Sequence, residues 1–347
     1  MQKVRICTAS SQAHFLALLS KQLDIADCEA SVMTRKVIID TDPGVDDAIA
    51  IFLALNCPEL EVVGISTIFG NAETQTTTRN ALSLLEIAGC EDIPVAMGAT
   101  KPLSSDYLGA VTQVHGDDGQ GNANLKPPEC PATDEPATEM LYRMAAAHPG
   151  EITLLTLGPL TNIASAARQY PDIVTLIDEL VVMGGNALSP GNANPAAEAN
   201  MLNDPEAADI VFGLSWPTTM VGLDVTHQVN LTSSDLNTIT SRSSPVCRHL
   251  AAAVPYYQSF FERTNEIDGI YSHDPTAVAY LVEPGLFETR QWPIRVETQG
   301  ISRGKSWPSL GDTDDAAPEP WRNRPKVSVA TEVAAEKVRD LIVERLT

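Results

Sequence analysis

The chain alternates short apolar runs with longer segments in which apolar residues recur at helical spacing. The short runs are rich in Val and Ile, as strands buried on both faces require. They lie at residues 37–39, 60–67, 93–97, 151–156, 180–183, 218–223, 294–298 and 326–330. Helices are predicted at about 46–56, 73–89, 134–148, 160–169, 204–212 and 331–346, and most of 231–282 is helical. This alternation predicts an α/β fold: a single domain with an open, mainly parallel central sheet flanked by helices.

Loops with distinctive residues begin just after several predicted strands. Asp42, Asn71, Leu157 and the loop 184–200 each follow one of them. In parallel α/β sheets, ligands bind at the carboxyl ends of the strands. We therefore expect these residues to share one edge of the sheet. The loops 98–132 and 300–325 are the other long polar segments.

Four carboxylates surround one predicted strand-to-helix turn, in the sequence D-T-D-P-G-V-D-D. Asp40 and Asp42 are two residues apart and so leave an extended backbone on the same side. A Pro-Gly pair then breaks the strand, and Asp46 and Asp47 open the helix, whose dipole favours acids there. Like charges this close raise one another's pKa, and a hard cation such as Ca²⁺ or Mg²⁺ would relieve the repulsion. A simple helix cap would explain only two of these acids, and the ligand spacing of an EF-hand is missing.

The loop 184–200 carries amide and carboxylate side chains and no Lys or Arg: Asn186, Asn192, Asn194, Glu198 and Asn200. These groups suit sugar hydroxyls, which both donate and accept hydrogen bonds. Taken alone, a solvated Asn-rich loop would explain the pattern equally well. Lys and Arg are also absent from 41–49, 69–73, 114–122 and 271–276, so a phosphate would find no partner there. An uncharged polyol-like ligand is therefore predicted.

Composition and net charge limit the kinds of partner and the cellular compartment that we expect for this chain. Among 347 residues the net charge is -22, which argues against nucleic acid and anionic membranes as partners. The six cysteines are scattered without a C-x-x-C pair, as expected for free thiols in a reducing compartment, so a cytoplasmic location is predicted. Residues 1–33 have no acid before Asp24 and lack the apolar core of a secretory signal. We predict an N-terminal extension, disordered or not native, before a catalytic domain at 34–347.

Several separate motifs together resemble those of the inosine–uridine-type nucleoside hydrolases, over roughly residues 35–346. They are D-T-D-P-G-V-D-D, F-G-N at Asn71, H-G-D at His115, L-G-P-L-T-N-I-A, V-M-G-G, N-A-N-P-A-A-E-A-N, V-G-L-D-V-T-H and H-D-P. The resemblance implies an open α/β sheet and a homotetramer or homodimer. It also implies Ca²⁺-dependent hydrolysis of the N-glycosidic bond of purine or pyrimidine ribonucleosides, in nucleoside salvage or catabolism.

The resemblance further implies a role for each matching residue. Four groups would bind Ca²⁺: Asp42, Asp47, the backbone carbonyl of Leu157 and Asp274. Six side chains would contact ribose: Asp46, Asn71, Met183, Asn192, Glu198 and Asn200. Asp42 would also be the general base on the metal-bound water, with Asp40 supporting the ligands from behind. His273 would help to protonate the leaving base, which His115 would also face. Ala199 departs from the family pattern, since a bulkier aromatic residue often stands there.

Two other functions remain as alternatives. A haloacid-dehalogenase-like phosphatase would use the spacing of Asp40 and Asp42, but Gly44 and the missing phosphate-binding Lys disfavour it. A Ca²⁺-stabilised nucleoside-binding protein without turnover is the second alternative, and the intact Asp42 and His273 weigh against it. Hydrolysis fits the chemistry better, because carboxylates stabilise the positive charge that develops on ribose as the bond breaks.

Overall fold

A nine-stranded sheet forms the centre of the computed structural model, which describes residues 34–311 and 318–347. Its strands are β1 (Arg35–Thr41), β2 (Leu60–Thr67), β3 (Val95–Met97), β4 (Ile152–Thr156), β5 (Ile177–Met183), β6 (Thr218–Val221), β9 (Phe287–Val296), β10 (Ser306–Pro308) and β11 (Lys326–Val333). The short strands β7 (Asn230–Leu231) and β8 (Ile270–Tyr271) form a separate antiparallel pair. The predicted sheet flanked by helices is thus confirmed.

The strand order is β10-β9-β11-β6-β5-β4-β1-β2-β3. Every neighbouring pair from β11 to β3 is parallel, and only the pairs made by β9 are antiparallel. The chain builds outward from β1 through β2 and β3, and then from β4 in the opposite direction. The order therefore reverses between β1 and β4, which is where open α/β sheets form a crevice for ligands.

The helices are α1 (Val45–Asn56), α2 (Thr74–Ala88), α3 (Thr112–His115), α4 (Ala137–Ala147), α5 (Thr161–Gln169), α6 (Ile173–Leu176), α7 (Ala199–Asn203), α8 (Pro205–Val211), α9 (Leu223–Thr226), α10 (Ser233–Thr240), α11 (Pro245–Thr264), α12 (His273–Val282) and α13 (Ala335–Leu346). Helix α1 is the most deeply enclosed, with every residue from Val45 to Ala54 buried. It packs against α11, α12 and α13, so its first turn is fixed on all sides.

Some element boundaries differ from prediction in the last third of the chain. The predicted strand 294–298 overlaps the end of β9, which runs from Phe287 to Val296 and begins with a stretch of exposed polar residues, 288–291. The closing helix begins at Ala335 and not at 331, because β11 continues to Val333 in register with β9. The predicted loops 300–325 and 98–132 contain β10 and α3. The predicted extension at 1–33 lies outside the described residues.

Two further sequence expectations can be compared with the described chain. Cys57, Cys90, Cys130 and Cys247 are free thiols, as predicted. Among the described helices, none is long and apolar enough to cross a membrane.

Candidate active site

A cavity of about 650 Å³ opens at the carboxyl ends of the parallel strands, within the size range of small-molecule sites. Asp42 and Leu157 directly follow β1 and β4, the two strands at the reversal of strand order. Ten of the thirteen predicted site residues line the cavity: Asp46, Asn71, His115, Leu157, Met183, Asn192, Glu198, Asn200, His273 and Asp274. The other three, Asp40, Asp42 and Asp47, are buried next to it and do not line it.

Three carboxylates converge at the floor of the cavity. Asp46, Asp47 and Asp274 each offer an oxygen within 4.8 Å of the others, and all three are buried. Asp47 is oriented by the Thr41 hydroxyl and by the Gly44 amide, which donates over 2.9 Å. These oxygens are spaced as the ligands of one divalent cation would be.

Asp42 lies beside this group and is not part of it. Its Oδ2 accepts the backbone N–H of Asn71 at 2.6 Å, while the Asn71 side chain donates to Asp47 at 2.9 Å. Within the described chain, Asp42 Oδ1 is buried without a hydrogen-bond partner, and so is Asp46 Oδ1. A buried carboxylate oxygen with no donor is costly unless a bound group supplies one. The site thus retains unused acceptor capacity at two of its acids.

Burial raises the pKa of every acid in the cluster, and repulsion from neighbouring acids adds to the effect at Asp42, Asp47 and Asp274. Desolvation raises the pKa of Asp42 well above its usual value, and the charge of Asp47 adds to the effect. Desolvation and the charge of Asp46 raise the pKa of Asp47 to about 6. Desolvation, together with Asp46, Asp47 and Asp42, raises the pKa of Asp274 well above its usual value. No Lys or Arg is among the described residues that line the cavity, so the donor set fits a hard divalent cation.

Asp40 is buried in strand β1, two residues before Asp42. Its Oδ1 accepts hydrogen bonds from Ser66 Oγ (2.5 Å) and Asn162 Nδ2 (2.7 Å). Burial raises its pKa to about 7. Asn162 also bonds the carbonyl of Thr67, so Asp40 is tied to the ends of both β2 and α5.

The asparagine-rich loop, residues 184–200, forms the opposite wall. Glu198 caps α7: its carboxylate accepts the N–H groups of Asn200 (2.9 Å) and Met201 (3.1 Å) and, further back, of Gly185 (2.9 Å). Asn192 Oδ1 accepts the N–H of Ala199 at 3.0 Å. The loop is therefore held by its own polar side chains.

Asn200 connects this wall to the acid cluster. Its Nδ2 donates to the carbonyl of Leu157 at 2.6 Å and to that of Met183 at 3.2 Å. Leu157, whose carbonyl is predicted as a metal ligand, is among the residues that line the cavity. Ala199 also lines the cavity, and its small side chain leaves open the space that an aromatic residue would fill.

Both predicted base-side histidines are buried and neutral. His115 Nδ1 accepts the N–H of Val45 at 3.2 Å, and burial lowers its pKa to about 4. His273 Nδ1 lies 2.8 Å from the Thr226 hydroxyl. Burial and the neighbouring His227 and His115 lower the pKa of His273 to about 3.

Sequence reasoning missed the aromatic residues that complete the cavity. Tyr257 donates to Asp46 Oδ2 at 2.8 Å and stacks on His115, with ring centroids 5.2 Å apart. His227 and Tyr271 lie beside His273, with their centroids 5.4 and 5.8 Å from its ring. Tyr257 stands four residues before Phe261 on α11, a spacing typical of a buried helix face.

Comparison with known proteins extends over the same region. The family model described as inosine-uridine preferring nucleoside hydrolase matches residues 37–340. A probable uridine nucleosidase 2 from Arabidopsis thaliana is 43% identical over 315 residues, which cover 90% of this chain and 97% of that protein. A solved plant nucleoside hydrolase is 41% identical with a TM-score of 0.87, covering 90% of this chain and 99% of its own. A purine-preferring ribonucleoside hydrolase from Gardnerella vaginalis is 31% identical with a TM-score of 0.83, covering 90% and 98%.

Proposed function

The chain belongs to the inosine-uridine preferring nucleoside hydrolase family, and we propose that it hydrolyses the N-glycosidic bond of ribonucleosides to free base and ribose. One observation carries the proposal: buried carboxylates at the floor of a cavity whose opposite wall is an amide-rich, cation-free loop. The acids suit a transition state with positive charge on the ribose ring. The amides and Glu198 suit its hydroxyls.

The donor chemistry supports Ca²⁺ as the cofactor. The proposed ligands are Asp42, Asp47, the Leu157 carbonyl and Asp274, with Asp46 directed towards ribose. They are all oxygen donors, as Ca²⁺ prefers, and Asp42 Oδ1 is buried without a donor of its own. When bound, the cation lowers the pKa of a coordinated water and neutralises the acids. Asp46 is part of the close group of three oxygens, so it remains a candidate ligand as well.

The chain's own groups supply the remaining chemistry. The Asp42 carboxylate takes a proton from the attacking water. Asn71, Asn192, Glu198 and Asn200 hold the ribose, with Met183 beneath it.

The departing base meets the neutral His273 ring. Burial holds the pKa of His273 below its usual value, which favours a neutral ring, and we propose that the ring assists departure of the base by donating a ring N–H hydrogen bond. His115, kept neutral and stacked on Tyr257, faces the base from the other side. Hydrogen bonding to the base as negative charge builds on it makes it a better leaving group.

The names of the relatives indicate which substrates should be tested. One is described as a uridine nucleosidase and another as purine-preferring. We propose that this chain acts on uridine or inosine or both, in nucleoside salvage or catabolism. A homotetramer or homodimer and a cytoplasmic location stay predictions.

The test is a steady-state panel of uridine, inosine, adenosine and cytidine with Ca²⁺ present, in which ribose is detected as reducing sugar. The proposal expects ribose release from at least one of them. Equilibrium dialysis with the same nucleosides runs in parallel. Tight binding without release of ribose would replace the hydrolase by a nucleoside-binding protein.

A further inference from the structure

A buried lysine lies behind the asparagine-rich loop. Lys305, just before β10, is only 8% exposed. Its ammonium donates to the backbone carbonyls of Asn186 (2.5 Å) and Ser189 (3.2 Å) and lies 3.4 Å from that of Ala187. An ammonium has three N–H donors, and here they are all directed at one backbone turn.

A half-buried acid binds the same turn through its amides. Asp224, in α9, accepts the N–H groups of Ala187 (2.7 Å), Leu188 (2.7 Å) and Ser189 (2.9 Å). The carbonyls of the turn are thus bound by a cation and its amides by an anion. Hydrogen bonds to charged groups are among the stronger ones in proteins, so this turn is held more firmly than an ordinary surface loop.

The turn is mechanically connected to the rest of the loop. Asn186 Nδ2 donates to the carbonyls of Ser189 (3.0 Å) and Ala196 (2.8 Å), which joins the start of the loop to its end. The backbone before Lys305 also packs closely against the end of the loop. A Cβ on Gly304 would lie 2.8 Å from Ala197 Cβ and from Leu202 Cα. A movement of Lys305 would therefore displace the loop residues between Asn186 and Ala197.

The cost of burying the charge of Lys305 indicates that this arrangement has a function. Desolvation lowers the pKa of Lys305, so burying its charge has a cost that an apolar side chain would avoid. Loops of this length are otherwise among the more mobile parts of a protein. Contacts to a ligand must be held to within about 0.5 Å to be productive.

We infer that Lys305 is a positioning residue for the sugar-binding wall: it fixes the 186–189 turn and thereby the placement of Asn192, Glu198 and Asn200. The inference rests on the proposed function only for the identity of the ligand, a ribonucleoside. Its structural part, an ordered loop that depends on one ammonium group, stands on the contacts above.

The experiment compares wild type with Lys305→Met, which keeps the length of the side chain and removes its charge. Lys305→Gln, which keeps an N–H donor group, is the milder variant and decides the matter if Lys305→Met does not fold. Arg303→Gln is the matched control, because Arg303 bonds Glu206 and the Thr298 carbonyl and not the asparagine-rich loop. Hydrogen–deuterium exchange of peptides within 184–203 and steady-state kinetics are both measured.

In Lys305→Met we expect faster exchange within 184–203 by about tenfold, with peptides from β4 and β5 unchanged. KM for the best nucleoside should rise about tenfold with kcat within about threefold, since lost sugar contacts weaken binding first. Arg303→Gln should match wild type in both. Unchanged exchange in the loop, or a lower melting temperature with KM unaltered, would overturn the inference. If wild type releases no ribose from any nucleoside, the proposed function fails while the exchange result still decides this one.

Discussion

At the residue scale, Asp42 is the group on which the proposed chemistry depends most. It was predicted as general base from its motif, and it lies buried beside the three converging carboxylates with one oxygen free of hydrogen bonds. The sequence alone identifies Asp42 as the candidate base, because the D-T-D-P-G-V-D-D motif is one continuous segment of the chain. It could not show that Asp46 would lie closer to Asp47 and Asp274 than Asp42 does. That depends on how the first turn of α1 meets α12.

Replacing Asp42 by Ala should lower kcat for every nucleoside by about 10³-fold, because general-base assistance and one proposed metal ligand are lost together. Ribose release at saturating substrate is the measurement. Asp178→Ala, an exposed position on β5, is the control and should keep wild-type turnover. Comparable turnover in the Asp42 variant would remove this residue from the mechanism.

His273 gives a second prediction at this scale. Its neutral ring donates a hydrogen bond that a leaving nucleobase needs and a p-nitrophenolate does not. His273→Ala should therefore reduce turnover of inosine by about 10²-fold and that of p-nitrophenyl riboside by only a few-fold. Parallel assays on the two substrates measure the ratio. An equal loss on both would show that His273 does not act on the leaving group.

At the scale of elements, the Pro-Gly turn between β1 and α1 determines where the acids point. Gln120 Nε2 donates to the carbonyls of Pro43 (3.0 Å) and Gly44 (2.7 Å), and its Oε1 lies 2.9 Å from His249 Nε2. The turn is thus anchored to the loop after α3 and to α11. The sequence predicted the turn itself from Pro and Gly. It could not predict this anchoring, because Gln120 and His249 lie far away along the chain.

Gly44 should tolerate no side chain. A Cβ there would lie 2.5 Å from His115 Nδ1 and 2.7 Å from Asn71 Nδ2, so the turn or both neighbours must move. Gly44→Ala should lower kcat/KM by about 10²-fold, as displacement of catalytic groups by about 1 Å commonly does. Gly285→Ala, where a Cβ would meet nothing within 4 Å, is the matched control. If both variants keep wild-type kcat/KM, the geometry of the turn does not limit the reaction.

Long-range pairing also explains which elements were predicted well. The predicted positions of β2 and β4 agree closely with the structure, whereas those at 37–39 and 180–183 are only the continuous apolar parts of the longer β1 and β5. β9 is exposed over four consecutive residues, 288–291, so only its more buried end near Ile294 and Val296 was predicted. β10 has three residues and is defined by its pairing with β9, which local sequence does not reveal.

At the scale of the whole molecule, the family and the fold could be predicted from the sequence, because the motifs lie in many loops that meet at one edge of one sheet. Ten of the predicted residues line a single cavity for that reason. On the aromatic side of the cavity, Tyr257 was not predicted, and Tyr271 and His227 were assigned no individual role. These residues come from three elements whose meeting depends on how helices pack over the sheet.

Stability should depend on Ca²⁺, since a bound cation compensates the repulsion among buried carboxylates only in the folded state. At about 100 times its dissociation constant a ligand adds about 2.7 kcal/mol, which raises the melting temperature of a chain of this size by several degrees. Scanning calorimetry with Ca²⁺ and with chelator measures the shift. Asp47→Asn should abolish it, whereas Asp340→Asn, at a 73% exposed side chain, should not. The same shift in both variants would place the stabilising cation elsewhere.

The central claim is that a calcium ion seated among these acids prepares the attacking water. The most direct measurement is an anomalous difference map from a crystal grown in a calcium concentration that supports full ribose release. We predict one strong peak bounded by the carboxylates of Asp42, Asp47 and Asp274 and by the carbonyl of Leu157. The absence of a peak there, while the protein in the same solution still releases ribose, would contradict it.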